Sequence, residues 1–388
     1  MAAQWAANPI GGEGRRGEHV KAKLEIPQSA ERLTPEWLTA ALRDTGTIKT
    51  SRVESFVTEP DIAAGIGFMG ELARLSLRYD RAEDGAPGSV IAKFPTRIPE
   101  NREIADVFRL YERETRFYEE VAPEVKLRTP SRYYGALDPA TQDYVLLLED
   151  LAPARVGDQL EGCSAEEAEL CIRQLAMFHA TWWESPRLTE IDWMPLTSDP
   201  LIAQSAQDAY SEAWGPFAEY AGDRLSDQMR AVGERSGKNI INTLNRFGEP
   251  PRSIVHGDYR LDNLFFGTPE GGAPLTVIDW QISTRGNGVF DVAYFICGTM
   301  PPADRREVEM DLLRMYHAVL LDGGVRAYDF DQCFEDYRAS MLGCLLYSVL
   351  EIGSLDTANE RGLELFTAIM ERALSAVADL NAGELLPQ

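Results

Sequence analysis

The chain has 388 residues, 44% of them hydrophobic and 26% charged, which is ordinary for a globular protein and long enough for two lobes with substantial cores. Its 38 basic and 62 acidic residues leave a net charge of −24, which opposes nucleic-acid phosphates and anionic lipid as partners. No apolar run reaches the roughly 18 residues of a membrane span and the N-terminus shows no charged-then-apolar leader, so the expected location is cytoplasmic. Five cysteines without a C-x-x-C pair argue against a disulfide framework, and four histidines without metal-type spacing argue against a transition-metal enzyme.

Residues 1–26 are rich in Gly, Ala and charge without a period, which predicts a mobile tail. Thr34-Pro35-Glu36 opens a helix with a cap, a first-turn proline and an acid. Trp37, Leu38, Ala41 and Leu42 form its apolar stripe, and Gly46 stops it. A strand follows over 52–59 and runs into Gly65-Ile66-Gly67-Phe68-Met69-Gly70. In a dinucleotide-binding fold this G-x-G-x-x-G spacing must open a helix. Here Leu75, Leu77 and Tyr79 alternate with Ser76 and Arg78, so the loop sits in a β-hairpin. Val90 and Ile91 stand where a ribose-binding acid would be expected. Two readings are left, a flap over nucleotide phosphates and a plain hairpin turn.

The next strand, 89–95, has Lys93 as its one charge, and a lone strand lysine ordinarily faces solvent. A long helix is predicted over about 102–121, with Phe108, Tyr111, Phe117 and Tyr118 as apolar markers and Glu112 and Glu114 on different faces. Further strands are expected at 133–134 and 144–148. The second is apolar throughout, hence buried on both faces, and it ends at Glu149-Asp150-Leu151.

From Ser164 the pattern is helical. Ser164-Ala165-Glu166-Glu167 reads as a capping box, and the helix turns Leu170, Leu175, Phe178, His179 and Trp182 inward. His179 has no nucleophile or acid near it in sequence and is expected to be a satisfied core histidine. Trp182, Trp183, Trp193 and Trp214 either fill the core or, with amphipathic stretches near 201–221 and 225–247, cap a substrate site.

Residues 253–281 carry the chemistry. Ile254-Val255 ends a buried strand, and His256-Gly257-Asp258 turns out of it. Asn263 stands five residues after Asp258 and opens the apolar run 264–266. The strand 275–278 then ends at Asp279-Trp280. This brings Asp258, Asn263 and Asp279 to the same end of a small sheet. An aspartate at a loop tip can accept a proton, while an aspartate and an asparagine nearby offer hard oxygen ligands to Mg²⁺. Helices near 304–321, 330–351 and 357–380 close the chain, the second very apolar through Leu342, Leu345, Leu346, Val349 and Leu350.

The pattern H-G-D-x-x-x-x-N followed by I-D-W resembles the aminoglycoside phosphotransferase and choline kinase superfamily, including its ecdysteroid-kinase-like branch. The fuller forms HGDYRLDNL-x-F and DWQ-x-ST-x-G also resemble the kinase-like domains joined to acyl-CoA dehydrogenases, whose acceptors are hydroxyacyl-CoA species. The resemblance covers nearly the whole chain from about residue 34. It implies an α+β fold of two lobes, protein-kinase-like. An N-terminal antiparallel sheet plus helix would bind nucleotide over 27–150, and a mostly helical catalytic and substrate-binding lobe would occupy 151–388. It further implies ATP and Mg²⁺, with Asp258 as base and Asn263 and Asp279 as metal ligands. Lys93 would hold the α- and β-phosphates and pair with Glu114, Glu112 being the competing partner. Gly65, Gly67 and Gly70 would let backbone approach the triphosphate, and backbone at Glu149 and Leu151 would meet adenine. Asp291 would buttress the catalytic loop, and Arg260 would add positive charge near the transferred group.

The implied partner is a small hydroxylated molecule. Aminoglycosides or choline would call for acidic residues in the cap, whereas an apolar alcohol suits its tryptophans and leucines. Protein-kinase activity is disfavoured, because Asp279-Trp280 replaces D-F-G and no A-P-E follows. The competing function is a nucleotide-binding pseudokinase, which usually lacks one of the residues all present here.

Overall fold

The computed structural model describes residues 24–60, 69–353 and 360–387. The tail expected over 1–26 lies outside the described residues except for 24–26. There Leu24 and Ile26 are half-buried against the first core, and the Trp37 indole N–H donates to the Glu25 carbonyl at 2.8 Å. Helix α1 (Pro35–Asp44) starts where its cap is written: the Thr34 hydroxyl accepts the Trp37 N–H at 3.1 Å.

Strands β1 (Val53–Pro60), β2 (Gly70–Tyr79) and β3 (Ser89–Pro95) form an antiparallel meander. Helix α2 (Pro99–Val107) and helix α3 (Leu110–Arg116), continued by a wider turn over Phe117–Val121, come next. Strands β4 (Arg132–Leu137) and β5 (Tyr144–Glu149) complete a five-stranded sheet of order β1-β2-β3-β5-β4. As its unbroken apolar run requires, β5 is buried on both faces: Val145 and Leu147 pack with α1, while Leu146 and Leu148 join the core of the C-terminal part.

The single helix expected over 102–121 is broken. Arg109 takes a left-handed conformation (φ 53°) between α2 and α3. In one continuous helix residues 108 and 110 would point to nearly opposite sides. The break brings both onto the wall of one cavity.

The C-terminal part is helical around two small sheets. Strand β6 (Arg155–Val156) is followed by α4 (Ala165–Trp182), whose capping box forms as written, then by α5 (Pro200–Ala221), α6 (Asp227–Gly237) and α7 (Ile240–Phe247). Strands β7 (Ser253–Val255), β8 (Leu264–Thr268), β9 (Gly271–Val277) and β10 (Thr284–Gly286) frame the motif region. Here one small sheet was expected and two are found: β7 pairs with β10, while β8 lies between β6 and β9. Helices α8 (Val289–Thr299), α9 (Pro302–Asp322), α10 (Phe330–Gly353) and α11 (Glu360–Asp379) finish the chain, with α10 packed on α5, α8 and α11. Among the described residues no helix is long and apolar enough to cross a membrane.

Candidate active site

The loop after β7 turns at Gly257, which has φ 87° and where a Cβ would sit 3.1 Å from the Ile282 carbonyl oxygen. Asp291, in the first turn of α8, accepts the backbone N–H groups of His256 (2.7 Å) and Gly257 (2.9 Å). His179 is buried as expected. It meets Tyr316 Oη at 2.9 Å and Asp291 Oδ2 at 3.3 Å, so it supports the aspartate that supports the loop. Gln159 accepts the Leu261 N–H at 2.8 Å and donates its own backbone N–H to Asp262 at 3.2 Å.

His256 joins the two halves of the motif. Its Nδ1 accepts the Asp258 N–H at 3.2 Å, which leaves Nε2–H to donate to the Ile278 carbonyl at 2.9 Å. One ring therefore spaces the loop of Asp258 from the strand end of Asp279.

The Asp258 carboxylate is held from three sides: by Tyr294 Oη at 3.1 Å, Asn263 Nδ2 at 2.9 Å and Arg260 Nε at 3.2 Å. Its side chain is still 22% exposed, open to a reactant. Burial works against the charge of Arg260, but Asp258, Tyr294, Asp262 and Glu351 together outweigh it and lift the guanidinium above its usual value. Burial and the Asp258 charge push the Tyr294 hydroxyl well up, so it remains a donor. Asn263 Nδ2 also donates to the Asp258 carbonyl at 2.9 Å. Both partners are pure acceptors, so the NH₂ must face them and Oδ1 is the atom Asn263 can offer to a cation.

Asp279 sits at φ 66°, a conformation that aspartate tolerates better than most residues. It is anchored by the next residue. Trp280 is fully buried, stacked on Phe117 with ring centroids 3.9 Å apart, edge-on to Phe178 and 4.5 Å from the His256 ring. Lys93 Nζ lies 2.6 Å from Glu114 Oε1 and 3.5 Å from Asp279 Oδ1. Burial opposes the ammonium, yet the two carboxylates hold it above its ordinary value. Glu112 is spent elsewhere, on Arg109 and Arg116.

Gly70 opens β2 opposite Pro95, where a Cβ would lie 3.0 Å from the Phe94 carbonyl oxygen. Gly65 and Gly67 lie outside the described residues. At the end of β5 the Glu149 carboxylate is taken by Arg128 at 2.6 Å and the Ser131 N–H at 2.9 Å, and the Leu151 carbonyl accepts the Ala154 N–H at 2.8 Å. The side chain of Glu149 is thus structural, which leaves only backbone at this position to meet a base.

Among the described residues no three His, Cys, Asp or Glu side chains cluster to hold a metal. The pair Asp279 and Asn263 supplies one carboxylate and one amide oxygen, which suits Mg²⁺ completed by phosphate and water and no all-protein cage.

Beside Gly257 opens an apolar cavity of about 360 Å³, walled by Phe108, Leu110, Phe247, Phe290, Leu346 and Leu350 among others. None of the four clustered tryptophans lines it: Trp182 and Trp193 are core, Trp214 stacks on Phe217, and Trp183 packs on Tyr328. A larger polar recess of about 690 Å³ near Asp336 contains none of Lys93, Asp258, Asn263 and Asp279 and is not this site. Tyr294 and Gln159 were not legible as site residues. Tyr294 did leave a trace, since it follows Asp291 by three positions on one helix face.

An antiparallel sheet with a lysine–glutamate pair, set on a helical part that carries the H-G-D loop, defines a kinase-like fold. A putative aminoglycoside phosphotransferase from Ralstonia eutropha JMP134 superposes with a TM-score of 0.52 at 16% identity, covering 90% of this chain and 98% of that one. Choline kinase from Cryptosporidium parvum Iowa II gives a TM-score of 0.51 at 11% identity, over 84% of this chain and 91% of that one. At such identities the likeness is one of fold. Residues 64–326 match the ecdysteroid kinase-like family, and the chain belongs to it.

Shorter matches join it to curated proteins. Acyl-CoA dehydrogenase family member 10 of Mus musculus is 55% identical over 42 residues, 11% of this chain and 4% of that protein. Probable acyl-CoA dehydrogenase IBR3 of Arabidopsis thaliana is 51% identical over 41 residues, 11% of this chain and 5% of that protein. The chain thus matches only a small share of these relatives' length.

Proposed function

We propose that the protein is an ATP- and Mg²⁺-dependent phosphotransferase acting on a hydroxyl group of a small molecule. The observation that carries this reading is the pairing of two clusters: Asp258 with Asn263 at 2.9 Å, and Lys93 between Glu114 and Asp279 at 2.6 and 3.5 Å. Phosphoryl transfer asks the protein for position and charge more than for covalent chemistry. Asp258, fixed by Tyr294, Arg260 and Asn263, orients the acceptor hydroxyl and takes its proton as the new O–P bond forms and the bond to ADP breaks. Lys93, aimed by Glu114, meets the α- and β-phosphates, with Gly65, Gly67 and Gly70 as the flap and backbone at Glu149 and Leu151 beside the base. Asn263 and Asp279 would hold Mg²⁺, which when bound neutralises charge on the β- and γ-phosphates. A cytoplasmic setting, with neither nucleic acid nor membrane as partner, fits the net charge of −24.

Mg²⁺-dependent ADP release measured against a panel of alcohols tests this. At least one alcohol should stimulate release, and Asp258→Asn should lower it about 100-fold or more. A wild type that binds ATP but transfers to no alcohol would instead be a nucleotide-binding regulator.

A further inference from the structure

Helix α3 carries two arginines, Arg113 and Arg116, and Arg109 immediately precedes it. Arg109 and Arg116 are paired with Glu112, and Arg116 also meets Glu120 at 2.7 Å. Arg113 is different. It is 5% exposed, it lines the apolar cavity beside Gly257, its buried Nε has no hydrogen-bond partner, and no carboxylate among the described residues forms an ion pair with it. The negative group that acts on it most, Asp199, caps α5 through the N–H groups of Leu201 (2.9 Å) and Ile202 (3.5 Å). Burial pulls the guanidinium down to about 10, so at neutral pH it is still charged. A buried charge without a partner is costly, and such groups collect where a ligand supplies the partner.

The rest of the cavity wall is mostly apolar, and Gly257 places the cavity next to Asp258. Resting on the phosphotransferase reading, we infer that the acceptor is an anionic amphipath, a hydroxy acid whose apolar chain fills this cavity and whose carboxylate pairs with Arg113. Its hydroxyl gives its proton to Asp258, an O–P bond forms to the γ-phosphorus, the bond to ADP breaks, and the product is the phosphate monoester of the acid. The same guanidinium repels cationic acceptors. A planar fork matched to carboxylate geometry makes arginine suited to this task.

The test uses ω-hydroxy acids from hydroxyhexanoate to hydroxydodecanoate, each with its matched diol and ω-amino alcohol. Binding is followed by calorimetry without nucleotide, and turnover by ADP release. Wild type should bind the best acid about tenfold or more tighter than its diol, with the amine weakest. Arg113→Met should erase that preference through KM more than kcat, and Arg113→Lys should keep part of it.

The inference is overturned if wild type binds diol or amine as tightly as acid, if it binds none of them, or if Arg113→Met keeps the preference. Should both variants fail to fold, the wild-type ranking decides alone. Acid binding that depends on Arg113 without ADP release would sink the transferase reading and leave the pocket inference standing. ADP release without a carboxylate preference would do the reverse.

Discussion

Lys93 keeps its charge inside the protein because two carboxylates stand against it, one on α3 and one at the end of β9. Each alone would leave the ammonium poorly compensated, and together they fix its direction. Lys93→Met should therefore lower kcat/KM for ATP by about 100-fold in steady-state kinetics, and a change within twofold would remove Lys93 from the site. Asp258, Asn263 and Asp279 were legible because their signals are local, an asparagine five positions after an aspartate and an aspartate at a strand end, whereas Lys93 and Glu114 were reached only through the family resemblance, since a lone strand lysine ordinarily faces solvent. Tyr294, Gln159 and Arg113 were not legible as site residues. Their roles arise from what they face across the chain, and a tyrosine in an apolar helix or an arginine in a charged one reads as ordinary.

At the scale of elements, the caps were the surest reading, since a hydroxyl and a glutamate three residues apart satisfy each other's backbone N–H groups locally. In α4 both halves of the box form, with Ser164 N–H to Glu167 at 3.0 Å and Glu167 N–H to the Ser164 hydroxyl at 3.1 Å. Ser164→Ala should cost about 1 kcal/mol in chemical denaturation with kcat unaltered, because the cap lies at the far end of the helix from His179. A loss below a few tenths of a kcal/mol would mean the box adds nothing. The break between α2 and α3 was illegible for a physical reason. No glycine or proline marks it, and the left-handed Arg109 belongs with a tertiary arrangement, Phe108 and Leu110 on one cavity wall, that helical periodicity does not express. Two small sheets in place of one likewise follow from pairing choices that strand periodicity cannot express.

In the whole molecule, the fold class was readable because the H-G-D-x-x-x-x-N and I-D-W motifs resemble a family whose fold sets a sheet before a helical part. The apolar cavity beside Gly257 was not readable, since most of its wall is assembled from α2, α3, α5, α7, α8 and α10. Near it Glu351 links the site to global stability. Burial pushes its carboxyl up to about 8, with Arg260 pulling down and Asp258 pushing further up. The folded protein therefore holds a proton that the unfolded chain releases near 4.5. The stability from this group is fully present below that pH and is lost as pH rises towards 8. Glu351→Gln should flatten the fall, by roughly 1 kcal/mol for each pH unit of this window, and identical slopes for the two proteins would contradict it.

In the proposed reaction Asp258 directs the γ-phosphoryl group of ATP to an alcohol oxygen. Phosphorus NMR of a reaction with ATP, Mg²⁺ and the best acceptor reads this directly. Wild type should build up a phosphate monoester in step with ADP, and Asp258→Asn should not. Inorganic phosphate as the sole product, or equal monoester from both proteins, would rule out this role for Asp258.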